Sequence, residues 1–294
     1  MSDNQDRYYQ PSGKIPFWGT VLMLGLGTLV SLISGFIYAV ISRYNPIIYI
    51  QVFVTVGFGA VMGVAVNGVG HKMKVRNRFF AILISLVIGV LGMYFAWVWY
   101  IWMLWDWDTN LLIFQPAITW EIVQLLADQG LWEMRNAKPT GMVLYGFWLV
   151  EAVVVLGTCY LTGAETWTPF CEECNCWTEK RDALTIAKAN PVLITEAMEE
   201  EQYDLIASLA AGEINLADYM SVVCYRCPNC EDSDFATVSS VITVQGKEGP
   251  VTTVTQFVRP IAVPHSLTEE IQQLIQAAVV RSIDESTQNL PELE

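Results

Sequence analysis

The sequence is short of positive charge and of histidine. Its 294 residues carry 16 Lys and Arg against 30 Asp and Glu, a formal net charge of −14, and two histidines, His71 and His265. Neutralising phosphates needs clustered Lys and Arg, so a nucleic-acid-binding surface is excluded; the acidic C-terminal half suits a basic protein partner better. With histidine this scarce, no nucleophile–base constellation emerges, and the chain is not expected to be an enzyme. Charge of either sign is also scarce, at 16% against 53% hydrophobic residues, where about a quarter is usual for a soluble domain. Most of the acids lie after Leu161, and long stretches of the first 160 residues hold none. A membrane part followed by a soluble part is the consequence.

Four apolar runs, Phe17–Ser42, Ile47–Val66, Phe79–Trp105 and Gly141–Leu161, contain one acid, Glu151, and no base. At 1.5 Å rise per residue each spans or nearly spans the roughly 30 Å hydrocarbon layer. One such run could be a buried soluble helix, but four cannot all be. The first run is too long for a signal-peptide core and lacks a small-residue cleavage site, so it is expected to be retained. The link NGVGHKMKVRNR holds Lys72, Lys74, Arg76 and Arg78, whereas residues 106–140 hold Asp106, Asp108, Glu121, Asp128 and Glu133 against Arg135 and Lys138. Basic loops stay in the cytoplasm, which places both termini there, in the inner (plasma) membrane of a cell. The same basic loop suits anionic lipid headgroups. Tyr44, Trp99, Tyr100, Trp102, Trp105 and Trp107 fall at the opposite interface, where amphipathic rings concentrate. After Pro116, Ile118, Ile122, Leu125 and Leu126 recur at helical spacing up to Gly130, predicting a short amphipathic helix along that outer surface.

Small residues at intervals of three and four (Gly25, Gly27, Ser31 and Gly35 in the first span; Gly57, Gly59 and Gly63 in the second) predict close helix contacts, within the bundle in preference to between two copies of the chain. Glu151 sits roughly 15 Å inside the fourth span, where an acidic side chain costs about 2.5 kcal/mol or more unless it faces the bundle interior. Counting along the other spans puts Ser31, Thr55 and Tyr94 at similar depth. Such a layer either satisfies a protonated carboxyl or relays a proton or cation.

Seven cysteines remain to be explained. Cys171-Glu-Glu-Cys174 and Cys227-Pro-Asn-Cys230 are two C-x-x-C pairs, each able to present two thiolates from one tight turn; together they make the four soft ligands of a tetrahedral site. In a reducing cytoplasm a structural disulfide is disfavoured, and a redox dithiol lacks a strand-to-helix setting here, so structural Zn2+ is the better reading. Cys176 and Cys224 lie close enough in sequence to replace a ligand, while Cys159 is a small buried hydrophobe. FCEECNCWTEK and YRCPNCEDSD resemble the two knuckles of zinc ribbons, an antiparallel sheet clamped by metal, with the helix-like TEAMEEEQYDLIASLAAG as an insertion. The plan as a whole resembles four-span bacterial inner-membrane proteins with a zinc-ribbon-like C-terminal domain, which implies an architecture and no reaction.

YMSVVCYRC, FATVSSVITVQ and VTTVTQFVRPIAV are rich in β-branched residues, the last two joined by GKEG as a hairpin. Ser266 or Thr268 is placed to cap a final helix whose Leu267, Ile271, Leu274, Ile275 and Ala278 form one apolar face. The predicted fold is thus an all-α four-helix membrane bundle plus a small α+β domain. Its divisions are a tail over 1–16, the bundle over 17–161, the metal-stabilised domain over 162–284 and a mobile acidic tail over 285–294. The expected function is a multi-pass membrane protein whose zinc-stabilised cytoplasmic domain is an interaction or sensing module. The alternative is a small transporter or channel subunit using Glu151. An enzyme acting on lipid, with Glu121 and Glu133 as acids, is a third and weaker class.

Overall fold

The computed structural model describes residues 7–45, 48–108, 112–131, 139–164, 168–230, 233–247 and 249–288, with backbone only at residue 48 and at 277–288. Glu133, Arg135, Lys138, the side chain of Ala278 and the end of the acidic tail lie outside what is described. The chain divides into two compact units, residues 12–167 and residues 1–11 with 168–294.

The first unit is a helical bundle. Its helices α1 (Phe17–Tyr44), α2 (Ile48–Lys72), α3 (Arg78–Leu104) and α5 (Met142–Gly163) are each long and apolar enough to cross a membrane. No helix breaker stands between Ile48 and Lys72, so α2 runs past Val66 through the glycines of NGVG. The link shrinks accordingly: Lys72 ends α2, Arg78 opens α3 under an Asn77 cap that accepts from the Phe80 amide, and Lys74 turns the chain at φ 57°. Arg76 is buried, its amide donating to the Lys14 carbonyl. Lipid gives apolar side chains no reason to hide, so Phe53 and Phe79 stay 77% and 85% exposed. Of the small residues expected to pack, Gly27, Ser31, Gly35, Gly59 and Gly63 turn inward, whereas Gly25 and Gly57 are exposed with no other helix near them. α1 packs on α3 and α2 on α5. A Cβ at Gly59 would stand 2.6 Å from the Val155 carbonyl oxygen, which is why this crossing needs glycine.

Helix α4 (Pro116–Gln129) follows the predicted start at Pro116 and stops at Gly130, φ 76°. Its buried face is Thr119, Val123 and Ala127, set against the bundle, and Ile118 and Leu125 point away from it. The apolar stripe seen in the sequence is therefore not the packed one. Small residues let the helix approach its neighbours, and the larger aliphatics keep an apolar surrounding.

The second unit is an antiparallel sheet in the order β3 (Glu179–Ile186), β4 (Asp218–Arg226), β5 (Asp234–Gly246) and β6 (Gly249–Val263), preceded by a two-strand ribbon of β1 (Phe170–Cys171) and β2 (Cys176–Trp177). Alternation sets the register: Leu184, Ile186, Met220, Val222, Cys224, Ala236 and Val238 all face one core, with Leu184 opposite Val222 and Val222 opposite Val238. α6 (Pro191–Glu199), α7 (Asp204–Ala210) and the first turns of α8 (His265–Gln288) contribute Ile194, Met198, Ile206, Leu267 and Ile271 to that core. The single helix expected over 195–212 is two, because the chain turns at Glu201 with φ 61°. Neither Ser266 nor Thr268 caps α8, which starts at His265. Instead the buried Asp234 of β5 accepts from His265 Nδ1 at 2.8 Å and from Thr268 Oγ1 at 2.6 Å, tying the helix to the sheet.

The N-terminal segment belongs to this unit. Tyr8 bridges Ile261 of β6, and Tyr9 donates to the Pro260 carbonyl at 2.8 Å. The Arg7 guanidinium donates to the carbonyl of Glu199 and to Tyr203 Oη at 3.1 Å. Tyr8 Oη donates to Glu199 Oε1 at 2.6 Å, with the Arg259 guanidinium 5.1 Å above its ring.

Candidate functional site

The ribbon and the β4–β5 turn exist to bring four sulfurs together. In the first knuckle Phe170 pairs with Trp177 and Cys171 with Cys176, and Asn175 at φ 50° closes the turn. The Cys174 amide then donates to Cys171 Sγ at 3.4 Å. The second knuckle leaves β4 at Cys227, where the Asn229 amide donates to Cys227 Sγ at 3.5 Å. Amide donors on ligand sulfurs are what a thiolate centre requires of its surroundings.

The sulfurs of Cys171, Cys174, Cys227 and Cys230 all lie within 4.8 Å of one another, and those of Cys171 and Cys230 are 3.7 Å apart. Bonds of about 2.3 Å to a tetrahedral Zn2+ make an S···S edge of roughly 3.8 Å. The donor set and its size therefore fit such an ion. None of the seven cysteines is in a disulfide. The charge within the group is uneven. Burial opposes ionisation of Cys171, but hydrogen bonds from Ser233, the Cys174 amide, Cys230 and Cys227 outweigh it and hold the thiol down to about 7. Cys174 is raised, first by its hydrogen bond with Cys230.

The two remaining cysteines of the domain separate clearly. Cys224 faces the core beneath α8, and burial, with Asp234 adding to it, pushes its thiol up to about 12; its sulfur packs in the core and is not one of the four that converge. Cys176 sits at the rim, its sulfur 3.6 Å from Cys227 Sγ and 3.5 Å from Asn229 Nδ2. A closed four-sulfur centre has no open position, so it can brace a fold and does not activate water.

In the bundle, Glu151 meets a polar layer whose membership differs from the one counted along the helices. Thr55 belongs to it. Ser31 turns its hydroxyl to the Thr28 carbonyl at 2.8 Å, and Tyr94 reaches the Phe114 carbonyl at 2.7 Å. Their places are taken by Tyr38, which donates to Glu151 Oε1, and by Gln51, whose Nε2 donates to Tyr38 Oη at 2.9 Å and to Ser42 Oγ at 2.7 Å. Tyr38 Oη also lies 3.1 Å from Thr55 Oγ1. The sequence carried a signal for this: Gln51 is the one carboxamide in the apolar half of α2 before Asn67.

A cavity of about 160 Å³ lies between β3, β4 and α8, lined by Lys180, Arg181, Asp182, Cys224, Thr268 and Gln272 among others. It holds no cluster of the kind described above. No protein-family model, curated protein or solved structure matches the chain.

Proposed function

We propose that the chain is a multi-pass membrane protein that holds a zinc-stabilised domain at the cytoplasmic face of the inner (plasma) membrane as an interaction or sensing module. The observation that carries this reading is the convergence of four cysteine sulfurs from two distant turns, in a chain with four helices long and apolar enough to cross a membrane. Cys171, Cys174, Cys227 and Cys230 hold the ion, which supplies a rigid join between the ribbon and the β4–β5 turn. Sidedness is supported twice over. Four crossings return the chain to its starting side, and the docking of residues 7–9 on β6 requires the two ends of the chain to share a compartment. The basic residues Lys72, Lys74 and Arg78 support the cytoplasm as that compartment, and they suit anionic headgroups. The partner class is a protein with basic character, given the acidity of the C-terminal half.

The test is metal analysis of the purified full-length protein with thiol labelling from each side of sealed vesicles. Zinc at about one ion per chain and labelling of Cys176 from the cytoplasmic side support the reading. Absence of metal or disulfide-linked cysteines on the exterior face overturns it. A second reading, a small transporter or channel subunit built on Glu151, is favoured by the hydrogen-bonded layer around that carboxylate, and it requires a polar path to both faces of the bundle.

A further inference from the structure

We propose that Glu151 is a proton-binding site loaded from one face only, the face formed by the C-terminal end of α1 and the N-terminal ends of α2 and α5. The inference uses the crossing of the bundle through lipid and owes nothing to the metal centre.

A continuous hydrogen-bonded row leads from that face to the carboxylate. Ser42 lies two residues before α1 ends at Tyr44, Gln51 lies in the first turn of α2, and their side chains are joined; Gln51 in turn holds Tyr38, and Tyr38 holds Glu151. The row accommodates both charge states of Glu151 by rotating hydroxyls. When Glu151 is ionised, Tyr38 donates to it and accepts from Gln51 Nε2. When Glu151 carries the proton, it donates to Tyr38 Oη; Tyr38 then donates to Thr55 Oγ1, and Thr55 to the Gln51 carbonyl at 2.8 Å. Glu151 Oε1, both inner hydroxyls and Gln51 Nε2 keep a partner in both states, without backbone movement. Tyr38 Oη is already bound by Glu151, Gln51 and Thr55, so it has no coordination position for a metal cation. The proton is the ligand that fits.

Towards the other face the path ends. One turn beyond Glu151 and Thr55 stand Val155 and Phe58, 1% and 5% exposed, with Met62 fully buried behind them. The Phe58 ring stacks on Tyr38 at 4.5 Å and closes the polar layer from below. The hydroxyls further along are turned to their own helices, Thr158 to the Val154 carbonyl and Ser34 to Val30. The next side-chain links between α2 and α5 are Cys159 Sγ to the Gly59 carbonyl at 3.3 Å, which ends on backbone and hands no proton on, and Asn67 to the Thr162 carbonyl at 3.1 Å, about 18 Å beyond Thr55 along α2.

The titratable and charged groups on the surrounding elements in this half are Tyr38, Arg43 and Tyr44 of α1, Tyr49 of α2, Tyr94 and Tyr100 of α3, Glu121 and Asp128 of α4, and Tyr145 of α5 itself, while Tyr160 of α5 lies towards the other face. Among the described residues Tyr38 alone bonds the Glu151 carboxylate. The carboxylate therefore answers to the proton concentration at one face and passes nothing to the other, which is the behaviour of a sensor rather than of a transporter.

The experiment is infrared difference spectroscopy of the full-length protein in oriented, sealed proteoliposomes, with the pH stepped on one side at a time. A carboxyl C=O band that responds to the face bearing Ser42, fails to respond to the other face, and is missing from Glu151→Gln supports the proposal. In Tyr38→Phe the band persists but its response to a step on the face bearing Ser42 slows at least tenfold, because the row is cut at its link to the carboxylate. The wild-type steps need no variant to fold. A band answering equally to both faces, an identical spectrum in Glu151→Gln, or proton flux that Glu151→Gln abolishes each overturns it.

Discussion

Replacing Cys227 by Ser removes one sulfur from the group of four and tests whether the ion braces the domain. An ion held there would join turns 59 residues apart in the sequence, taking Cys171 and Cys230 as the ends. Treated as a cross-link of that loop, it withholds about 4 kcal/mol of chain entropy from the unfolded state at 25 °C. A domain of this size has roughly 5–15 kcal/mol in all, so the loss is a large share and the sheet still folds. The opening that exposes β4 then becomes about a thousandfold more frequent. Hydrogen exchange by mass spectrometry on the full-length protein in lipid nanodiscs reads this directly: β4 amides of the variant should exchange about three decades faster, while bundle peptides stay unchanged and zinc is lost. Cys224→Ala should keep its zinc, because that thiol lies in the core beneath α8. If Cys227→Ser loses the metal and β4 exchanges at the wild-type rate, the ion is not a brace; if the metal stays, the ligand set is wrong.

Other outcomes follow from single contacts. Arg7→Ala should free the N-terminal segment for proteolysis at a cost of about 2 kcal/mol, chiefly the charged donors to the Glu199 carbonyl and Tyr203; the ion pair with the exposed Glu201 adds little. Burial, then the hydrogen bond to Glu199, raises Tyr8 to about 12. Because the neutral form is the docked one, docking should be complete below pH 10 and be lost as pH rises from about 10 to about 12, whereas Tyr8→Phe should show no such alkaline step in hydrogen exchange. Gly59→Val should lower the thermal unfolding midpoint of the bundle, at about 1–3 kcal/mol, since the new side chain meets the Val155 carbonyl. Asp234→Ala should cost about 3 kcal/mol in chemical unfolding of the domain by releasing His265 and Thr268.

The spans were legible because an uninterrupted apolar run is a one-dimensional signal, and the cysteines because C-x-x-C spacing is local. Strand β3 was not, since only Leu184 and Ile186 of its eight residues face the core and too few alternations remain to see. The partners of Glu151 were half legible. Counting residues gives depth but not direction around a helix, so Thr55 was found while Ser31 and Tyr94, at the right height, point elsewhere. Tyr38 escaped because its long side chain carries the hydroxyl away from its own Cα. The docking of Arg7 left no trace at all, as half of what it binds is backbone carbonyl, which any sequence provides.

The pairing of Tyr8 with Ile261 sets a clock on biosynthesis. Tyr8 leaves the ribosome about 250 residues before the strand that receives it. At about 5–20 residues per second the segment waits on the order of 10–50 s, through the insertion of every helix, before it has anywhere to bind. A chain that stalls before β6 is made leaves Tyr8 without the strand it pairs with.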